Sequence, residues 1–490
     1  MAARLLVLLH LITHVLTAEE MSPKIVIIGA GASGVAAASR LLQNGFNNIT
    51  ILEAENRIGG RVCSIKIGEY LVDIGGEWVV GEKNNVAFEL ASPLGLLERS
   101  ADHKELSFVL KLFDSNGEEI PSEIFDPLIK YLQNEEDSVT ENTTGSYGEL
   151  AEKEINKYVK AHPEIPTSLY GPLMHFLNML KMSEHGGATW NEVSAKGVRF
   201  YDNIPGDPVI NWKERTYTTI LDILMKKYPN PEEELPVKNI TKFNTKVTEI
   251  KYEETPVKVI TANKEEYLAD HVIVTVSLGV LQKNIDTLFN PKLPEKKHNA
   301  IKNLSFGSTA KIILYYENPW WLNDPVHARG ILWTEEDRKE IEDDPQKRWL
   351  LGISSGIRVE HKPKLLLFWV TGPYIREMET LPEEIFQEQV KEFMTRFFGK
   401  AYNLTEPKII KRSFWNTNEN FLGVYTFYGL QTDVSGPHTE DFVDPIMKSD
   451  KPVLQFAGEA TTSHYGMVHG AIETGFREAD RLINYYSKNN

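Results

Sequence analysis

Hydrophobic and polar positions change their period along the chain, and these changes predict an α/β protein. Residues 24–28 (KIVII) form an apolar, β-branched run, as expected of a parallel strand buried on both faces. A helical stretch of small residues follows at 35–42, and a second strand is predicted at 49–52. Near the other end, a β-type run at 453–456 precedes apolar positions spaced close to 3.6 residues, which predicts a long C-terminal helix.

A glycine-rich turn, Gly29-Ala30-Gly31-Ala32-Ser33-Gly34, joins the first predicted strand to the first helix. In this GxGxxG spacing, Gly29 allows a tight turn and Gly31 lets the backbone approach a pyrophosphate. Gly34 lets the helix pack closely on the strand. Glu53 ends the second strand nineteen residues after Gly34, where a carboxylate can accept hydrogen bonds from ribose hydroxyls. The context predicts a dinucleotide site, for NAD or FAD, at a helix N-terminus.

The next segment distinguishes these two cofactors. Glu53-Ala54-Glu55-Asn56-Arg57-Ile58-Gly59-Gly60-Arg61 places two guanidinium groups and free backbone amides beside a phosphate. Here the chain resembles the flavin amine oxidase family, which includes monoamine oxidases, polyamine oxidases and L-amino acid oxidases. The resemblance implies that FAD is the cofactor and that Ala54, Arg57, Gly60 and Arg61 belong to the motif at its pyrophosphate.

The C-terminal segment carries a second, independent match to the same family. Ala457-Gly458-Glu459-Ala460 follows the last predicted strand and leads through Thr461 to Gly470 into the long helix. The resemblance implies that Gly458 and Glu459 belong to the cofactor site, with Glu459 binding the FAD ribitol, and that Met467 and Val468 lie against the pyrimidine edge of the isoalloxazine. A positive helix end there would stabilise anionic reduced flavin. A flavin site divided between the two chain ends is therefore expected.

Further family positions lie between the ends. The resemblance implies that Val247 contacts the adenine and that Gly76, Glu77, Trp78 and Trp415 lie beside the flavin. Lys311 lies within a predicted strand at 307–314, where a buried ammonium is costly unless it is partnered, although an edge-strand lysine could reach water. In the family a lysine at this position holds a water against flavin N5, so Lys311 is the candidate catalytic residue, with a role in flavin reoxidation.

Aromatic residues support an amine substrate. Tyr425 and Tyr465 match the two rings that face each other before the flavin in the family, where they guide an amine by cation–π attraction. Polyamine-oxidising members are the most similar, through Ser463-His464-Tyr465 and Val468-His469-Gly470-Ala471. They usually carry His or Glu where this chain has Val80, which cannot pair with a distal ammonium. Trp78, Glu77 and Glu82 are the other candidate substrate-binding residues.

The resulting hypothesis is an FAD-dependent amine oxidase. Hydride would pass from a polyamine, such as spermine, spermidine or an acetylated derivative, to flavin N5, giving aldehyde, amine and hydrogen peroxide. The alternative is a non-catalytic or altered-substrate FAD-binding protein, since Rab GDP-dissociation inhibitors resemble these oxidases in fold. The expected partners are a small amine and oxygen, and a net charge of −16 disfavours nucleic acid. The histidines are scattered along the sequence, and no metal site is expected.

The expected fold is α/β, with a Rossmann-type FAD-binding domain (22–105, 235–315 and 405–488) and an inserted α+β substrate-binding domain (106–234 and 316–404). Residues 1–18 resemble a secretory signal peptide: Arg4 precedes an apolar run at 5–16. A signal anchor or a disordered leader is an alternative. Five sequons, at Asn48, Asn142, Asn239, Asn303 and Asn403, would permit glycosylation on a secretory route. The single cysteine, Cys63, excludes an intramolecular disulfide, and no later window predicts a membrane span.

Overall fold

A computed structural model describes residues 22–100, 109–140, 142–197, 205–435 and 439–489. The predicted leader at 1–18 lies outside these ranges. The α-helices are Ala32–Gln43, Val86–Ala91, Ser122–Asp137, Tyr147–Ala161, Tyr170–His185, Thr219–Leu224, Leu278–Leu288, Glu295–Asn303, Glu335–Glu342, Ile375–Thr380, Glu383–Phe398, Leu430–Ser435, Thr439–Val443 and Val468–Asn489. Short 3-10 helices cover Ser92–Leu94, Thr167–Leu169, Pro231–Glu233, Arg348–Gly352 and Glu459–Thr461.

A six-stranded sheet joins the two ends of the chain. Its strands lie in the order Ile446–Lys448, Lys451–Phe456, His271–Val274, Ile25–Ile28, Ile49–Leu52 and Thr241–Lys242. All neighbours pair in parallel except the antiparallel edge strand Ile446–Lys448. Because parallel strands end at the same edge of a sheet, the turn after Ile28 and the turn after Phe456 lie at one edge, where α/β folds bind their ligands.

Two helices pack closely on this sheet: the fingerprint helix Ala32–Gln43 and the C-terminal helix Val468–Asn489. A Cβ at Gly475 would lie 2.2 Å from the carbonyl oxygen of Ser33, so the helices approach at backbone distance. The hydroxyls of Ser33 and Thr474 are 3.4 Å apart, and Arg40 pairs with Asp480 at 2.8 Å near the other end of the contact. This packing fixes the N-terminal and C-terminal motifs relative to each other.

A seven-stranded, mostly antiparallel sheet is the second large sheet of the fold. Its order is Ile409–Arg412, Ala310–Tyr315, Leu365–Val370, Ile353–Arg358, Ala328–Leu332, Leu110–Asp114 and Glu119–Ile120. Successive side chains of a strand point to opposite faces, so Leu112 and Phe113 enter different cores. Phe113 packs in an aromatic core with the helix Glu383–Phe398, and Leu112 packs in a core with the helix Tyr170–His185.

Four smaller sheets complete the described strands. One holds Glu266–Ala269, Val257–Thr261, Val247–Lys251 and Phe289–Asn290. The others are pairs: Ser305–Phe306 with Thr426–Phe427, Ser64–Ile67 with Tyr70–Asp73, and Glu98–Arg99 with Ile210–Asn211. No helix in the described part of the chain is long and apolar enough to cross a membrane.

The architecture confirms the expected α/β fold class, while three elements pack outside the predicted domain to which their residues belong. Ala310–Tyr315 and Ile409–Arg412 were assigned to the FAD-binding domain, but they pair inside the seven-stranded sheet. Thr219–Leu224 was assigned to the substrate-binding domain, but Ile220 and Leu221 pack in the core of the fingerprint helix. Hydrophobic period shows that a strand is buried, and it does not show which sheet the strand joins.

Candidate active site

A cavity of about 960 Å³ runs from the edge of the six-stranded sheet to the seven-stranded sheet. This volume lies within the range of small-molecule and cofactor sites. Most residues predicted for the site line it: Gly29, Gly31, Ser33, Glu53, Ala54, Gly60, Arg61, Gly76, Glu77, Trp78, Val247, Lys311, Trp415, Tyr425, Gly458, Glu459, Tyr465, Met467 and Val468. Gly34, Arg57 and Glu82 lie outside the lining.

The glycine turn forms one end of the cavity. Gly29 has φ +104°, and a Cβ at Gly34 would lie 2.0 Å from the carbonyl oxygen of Gly29, so both positions require glycine. At Gly31 no atom lies within 4 Å of a built Cβ, so a side chain there would extend into the cavity. No side chain caps the fingerprint helix, which leaves its first N–H groups for an anion. The turn therefore fits a pyrophosphate.

Glu53 is held at the end of its strand by the backbone. Its Oε2 accepts from the amide of Ala30 at 2.7 Å, and its Oε1 accepts from the amide of Glu55 at 2.7 Å. Burial raises the pKa of this carboxyl, because charge is costly to desolvate, and the two amides oppose the effect. Each carboxylate oxygen has a second lone pair, which suits a ribose hydroxyl.

Arg61 links the N-terminal motif to the C-terminal motif. Its Nη1 donates to Oε1 of Glu459 at 2.9 Å and to the carbonyl of Val424 at 2.5 Å. Oε2 of Glu459 in turn accepts from the amide of Gly466 at 2.9 Å. Arg57 instead supports the turn from behind: it donates to the Gly60 carbonyl at 2.8 Å and pairs with Glu55 at 2.8 Å. The two halves of the site are thus joined by a charge-assisted hydrogen bond.

Lys311 is buried in the wall of the cavity, with three acceptors for its three N–H donors. Nζ donates to Oε2 of Glu77 at 2.5 Å, to the Gly75 carbonyl at 2.8 Å and to the Asp73 carbonyl at 3.3 Å. The rings of Trp78 and Trp369 lie 5.5 and 5.0 Å from Nζ, within cation–π range. The partners that a buried ammonium requires are therefore present, and Glu77 is turned toward Lys311.

Asp73 is a second buried carboxyl next to this pair. It accepts from the Ser64 hydroxyl at 2.7 Å and from the Tyr217 amide at 3.0 Å. Burial, and then the negative charge of Glu77, raise the pKa of Asp73 to about 7. The wall behind Lys311 thus holds a carboxyl whose charge changes near neutral pH.

Tyr425 and Tyr465 line the chamber beyond Lys311. The Tyr425 hydroxyl donates to the Ser183 carbonyl at 3.1 Å, and burial raises the pKa of Tyr425 to about 12, so its phenol stays neutral. The Tyr465 hydroxyl donates to the Gly197 carbonyl at 3.3 Å. Val80 also lines the cavity, whereas both carboxylate oxygens of Glu82 pair with Arg99, at 2.6 and 2.7 Å. The structure places Glu82 away from the substrate chamber.

A comparison with known families agrees with this geometry. The sequence model of the family described as flavin containing amine oxidoreductase matches residues 32–183 and 236–483. The chain belongs to this family. It is therefore an FAD-dependent amine oxidase, as the split dinucleotide site and the resemblance both indicated.

Curated relatives and solved structures of the family cover nearly the whole chain. The peroxisomal N(1)-acetyl-spermine/spermidine oxidases of Bos taurus and Homo sapiens are 27% and 29% identical to it. The alignments cover 96% and 95% of this chain and 96% of each relative. A double mutant of putrescine oxidase superposes with a TM-score of 0.66 at 19% identity, covering 94% of this chain and 99% of that one, which shows the shared fold.

Sequence reasoning missed several residues of the amine oxidase chamber. Ser183, Glu184 and His185 line it from the C-terminal end of the helix Tyr170–His185, and Trp369 lines it from the seven-stranded sheet. The local signal was a Glu-His pair before Gly186-Gly187 at a helix end, in a segment without dinucleotide motifs. Their placement depends on how the inserted layers fold back over the flavin site, which no local pattern shows.

The fold also corrects the expectation that the histidines are scattered. His464, His469 and Glu473 come together, with one ligand atom from each lying within 4.8 Å of the others. His469 and Glu473 are four residues apart on the C-terminal helix and share a face, and His464 reaches them from the preceding loop. Burial lowers the pKa of His469 to about 4, so this imidazole is neutral. The spacing H-x4-H-x3-E was the signal in the sequence.

Proposed function

We propose that this amine oxidase acts on a polyamine such as spermine, spermidine or an acetylated derivative, giving aldehyde, amine and hydrogen peroxide. The observation that carries the proposal is a chamber with aromatic walls, Trp78, Trp369 and Tyr425, that also contains the carboxylate of Glu184. Aromatic faces attract the cationic chain of an amine, and a carboxylate gives a second ammonium a partner. The names of the curated oxidase relatives support the same substrate class.

The residues of the chamber prepare the amine for oxidation. An alkyl ammonium has a pKa of about 10.4 in water, so the reacting nitrogen has to lose a proton before hydride leaves its α-carbon. A buried chamber between indole rings lowers that pKa by desolvation, as burial does for a lysine. The bound flavin supplies the hydride acceptor, and the protein supplies orientation and electrostatics.

Lys311 remains the proposed catalytic residue, with a role in flavin reoxidation. To hold a water it has to release one of its three acceptors, and the contact with the Asp73 carbonyl, at 3.3 Å, is the longest. The ion pair with Glu77 holds Nζ of Lys311 in place during this exchange. A chain that only binds FAD would not need an ammonium in the cavity wall, and this supports the enzyme over the non-catalytic alternative.

Glu184 is the residue that we propose takes the place of the recognition side chain lost at Val80. Its side chain is 51% exposed and its carboxylate pairs with Lys181 at 2.9 Å, while Lys181 also pairs with Glu136 at 2.8 Å. Glu136 also lies 3.2 Å from Nε2 of His185, whereas Glu184 shares the Lys181 ammonium and is the carboxylate of this cluster that is left for a distal ammonium of the substrate.

The matched test compares Glu184→Gln with Glu82→Gln on a panel of spermine, spermidine, N1-acetylspermine and a monoamine of similar length. Loss of a charge-assisted hydrogen bond of about 1.5–3 kcal/mol predicts that Glu184→Gln raises KM for the polyamines roughly 10–100-fold and leaves the monoamine unchanged. Glu82→Gln is expected to leave KM unchanged for the polyamines and for the monoamine. Turnover of the monoamine alone, or an equal effect of Glu184→Gln on all amines, would contradict the polyamine proposal.

We also propose that the chain follows the secretory route and is glycosylated. The signal pattern at 1–18 supports this route. Four sequon asparagines, Asn48, Asn142, Asn239 and Asn403, are exposed, and Asn303 is half-buried. Expression in a eukaryotic cell should yield secreted protein whose mass falls on treatment with a glycosidase and whose N-terminus lies beyond residue 18. Retention inside the cell, with no change in mass, would contradict the proposal.

A further inference from the structure

Two histidines outside the flavin cavity flank the short segment 465–468, which lines that cavity. Tyr465, Gly466, Met467 and Val468 line the cavity, whereas His464 precedes this stretch and His469 follows it. Nδ1 of His464 lies 2.9 Å from Oε2 of Glu473, and the two imidazole centroids are 5.0 Å apart. Neither the flavin site nor the amine chemistry uses these three side chains.

One ring nitrogen of His469 is buried and lacks a hydrogen-bond partner among the described residues. The residue is 1% exposed, and within the described chain its Nε2 is buried without a hydrogen-bond partner. A buried nitrogen without a partner costs about 1–3 kcal/mol, and nearly all such atoms in folded proteins are satisfied by protein, water or an ion.

We propose that His464, His469 and Glu473 bind one divalent transition-metal ion, with Zn²⁺ as the representative ligand. Two imidazole nitrogens and one carboxylate are a common zinc donor set, which leaves a fourth position for water. Zinc lies about 2.0–2.1 Å from each such ligand, so tetrahedral donors are about 3.3 Å apart. The three ligand atoms lie within 4.8 Å of one another, and Nδ1 of His464 lies 2.9 Å from Oε2 of Glu473, so they are close to the spacing that zinc requires.

The surroundings of the three ligands permit metal entry. The His464 side chain is 13% exposed and that of Glu473 is 30% exposed, so the ion reaches the buried His469 from solvent on that side. The charge of Glu473 offsets the unfavourable position of a cation near the positive end of the C-terminal helix. A bound ion would join the two ends of the 465–468 segment and so fix the part of the chain that lines the flavin cavity.

The site is tested on the FAD-loaded full chain, stripped of metal with a chelator and dialysed against Zn²⁺. The variants His464→Gln and Glu473→Gln remove the two solvent-accessible ligands, and His298→Gln removes another histidine that pairs with a carboxylate, Asp286 at 3.5 Å. Bound zinc per chain is measured by isothermal titration, and Co²⁺ replaces Zn²⁺ to give a ligand-field spectrum. These readouts need no amine turnover, so they do not depend on the proposed substrate.

The expected result is one Zn²⁺ per chain in the wild type and in His298→Gln, a tetrahedral Co²⁺ spectrum, and affinity at least tenfold weaker in both ligand variants. Zinc should also raise the melting temperature of the wild type and leave that of His464→Gln unchanged. Absence of stoichiometric zinc binding in the wild type would overturn the proposal. Undiminished binding in His464→Gln and Glu473→Gln would overturn it equally, because the ion would then lie elsewhere.

Discussion

The buried pair of Lys311 and Glu77 allows a quantitative test of the chamber wall. The two side chains are 3% and 10% exposed, and their ion pair is 2.5 Å long. Lys311→Met would leave a carboxylate in this wall without its partner, and removing one member of a buried pair costs about 3–5 kcal/mol. Glu77→Gln should cost less, about 1.5–3 kcal/mol, because the amide oxygen still accepts and the carbonyls of Asp73 and Gly75 remain.

The double variant, Lys311→Met with Glu77→Gln, measures the interaction between the two side chains separately from the contacts that each makes with the rest of the protein. With both charges removed, the loss in unfolding free energy should be smaller than the sum of the single losses by about 1–3 kcal/mol. The assay is urea unfolding of the FAD-loaded chain, followed by far-UV circular dichroism at one pH. Lys408→Met with Glu317→Gln is the matched control, since that ion pair is more than half exposed and should show no measurable coupling. If the losses of the two single variants at Lys311 and Glu77 add up to the loss of the double variant, the two side chains do not interact, and the buried ion pair is refuted.

Two further predictions concern the fingerprint turn and the neighbouring carboxyl. Gly34→Ala should yield protein that retains little flavin, measured as the ratio of flavin to protein absorbance, because its Cβ would lie 2.0 Å from the Gly29 carbonyl oxygen; full flavin content would contradict the described turn. The pKa of Asp73 rises from 3.8 to about 7 on folding, so the folded chain binds this proton more tightly than the unfolded chain does. The contribution of this proton to the free energy of unfolding is fully present below about pH 4. It falls by roughly 1.4 kcal/mol per pH unit between about pH 4 and 7, and it does not change further above about pH 7. Asp73→Asn should remove this part of the pH dependence in thermal melts from pH 5 to 8, and an unchanged profile would show that Asp73 does not titrate there.

The dinucleotide half of the site could be predicted from the sequence because its determinants are local. The strand Ile25–Ile28, the glycines that follow it and Glu53 lie within one βαβ unit, so their spacing in sequence determines their spacing in space. The C-terminal motif was equally local, and the parallel pairing of His271–Val274 with both Ile25–Ile28 and Lys451–Phe456 brings the two motifs together.

The substrate half could not be predicted in the same way, because it depends on side-chain direction and on long-range packing. Glu77 and Glu82 are five residues apart in the sequence, yet Glu77 turns to Lys311 and Glu82 turns to Arg99. Glu184 reaches the chamber from a helix without a cofactor motif. His464, His469 and Glu473 meet because a loop folds back onto the first turns of a helix, whereas the spacing H-x4-H-x3-E by itself indicates only that His469 and Glu473 share a helix face.

The most direct test of the amine oxidase assignment is a spectrum of the purified chain before and after anaerobic addition of spermine, spermidine or N1-acetylspermine. The cavity and both motifs predict yellow protein with one FAD per chain. At least one amine should bleach the flavin absorbance, and admission of oxygen should restore it with one hydrogen peroxide formed per amine oxidised. Colourless protein would contradict the split FAD site, and yellow protein that no amine bleaches would contradict amine oxidation.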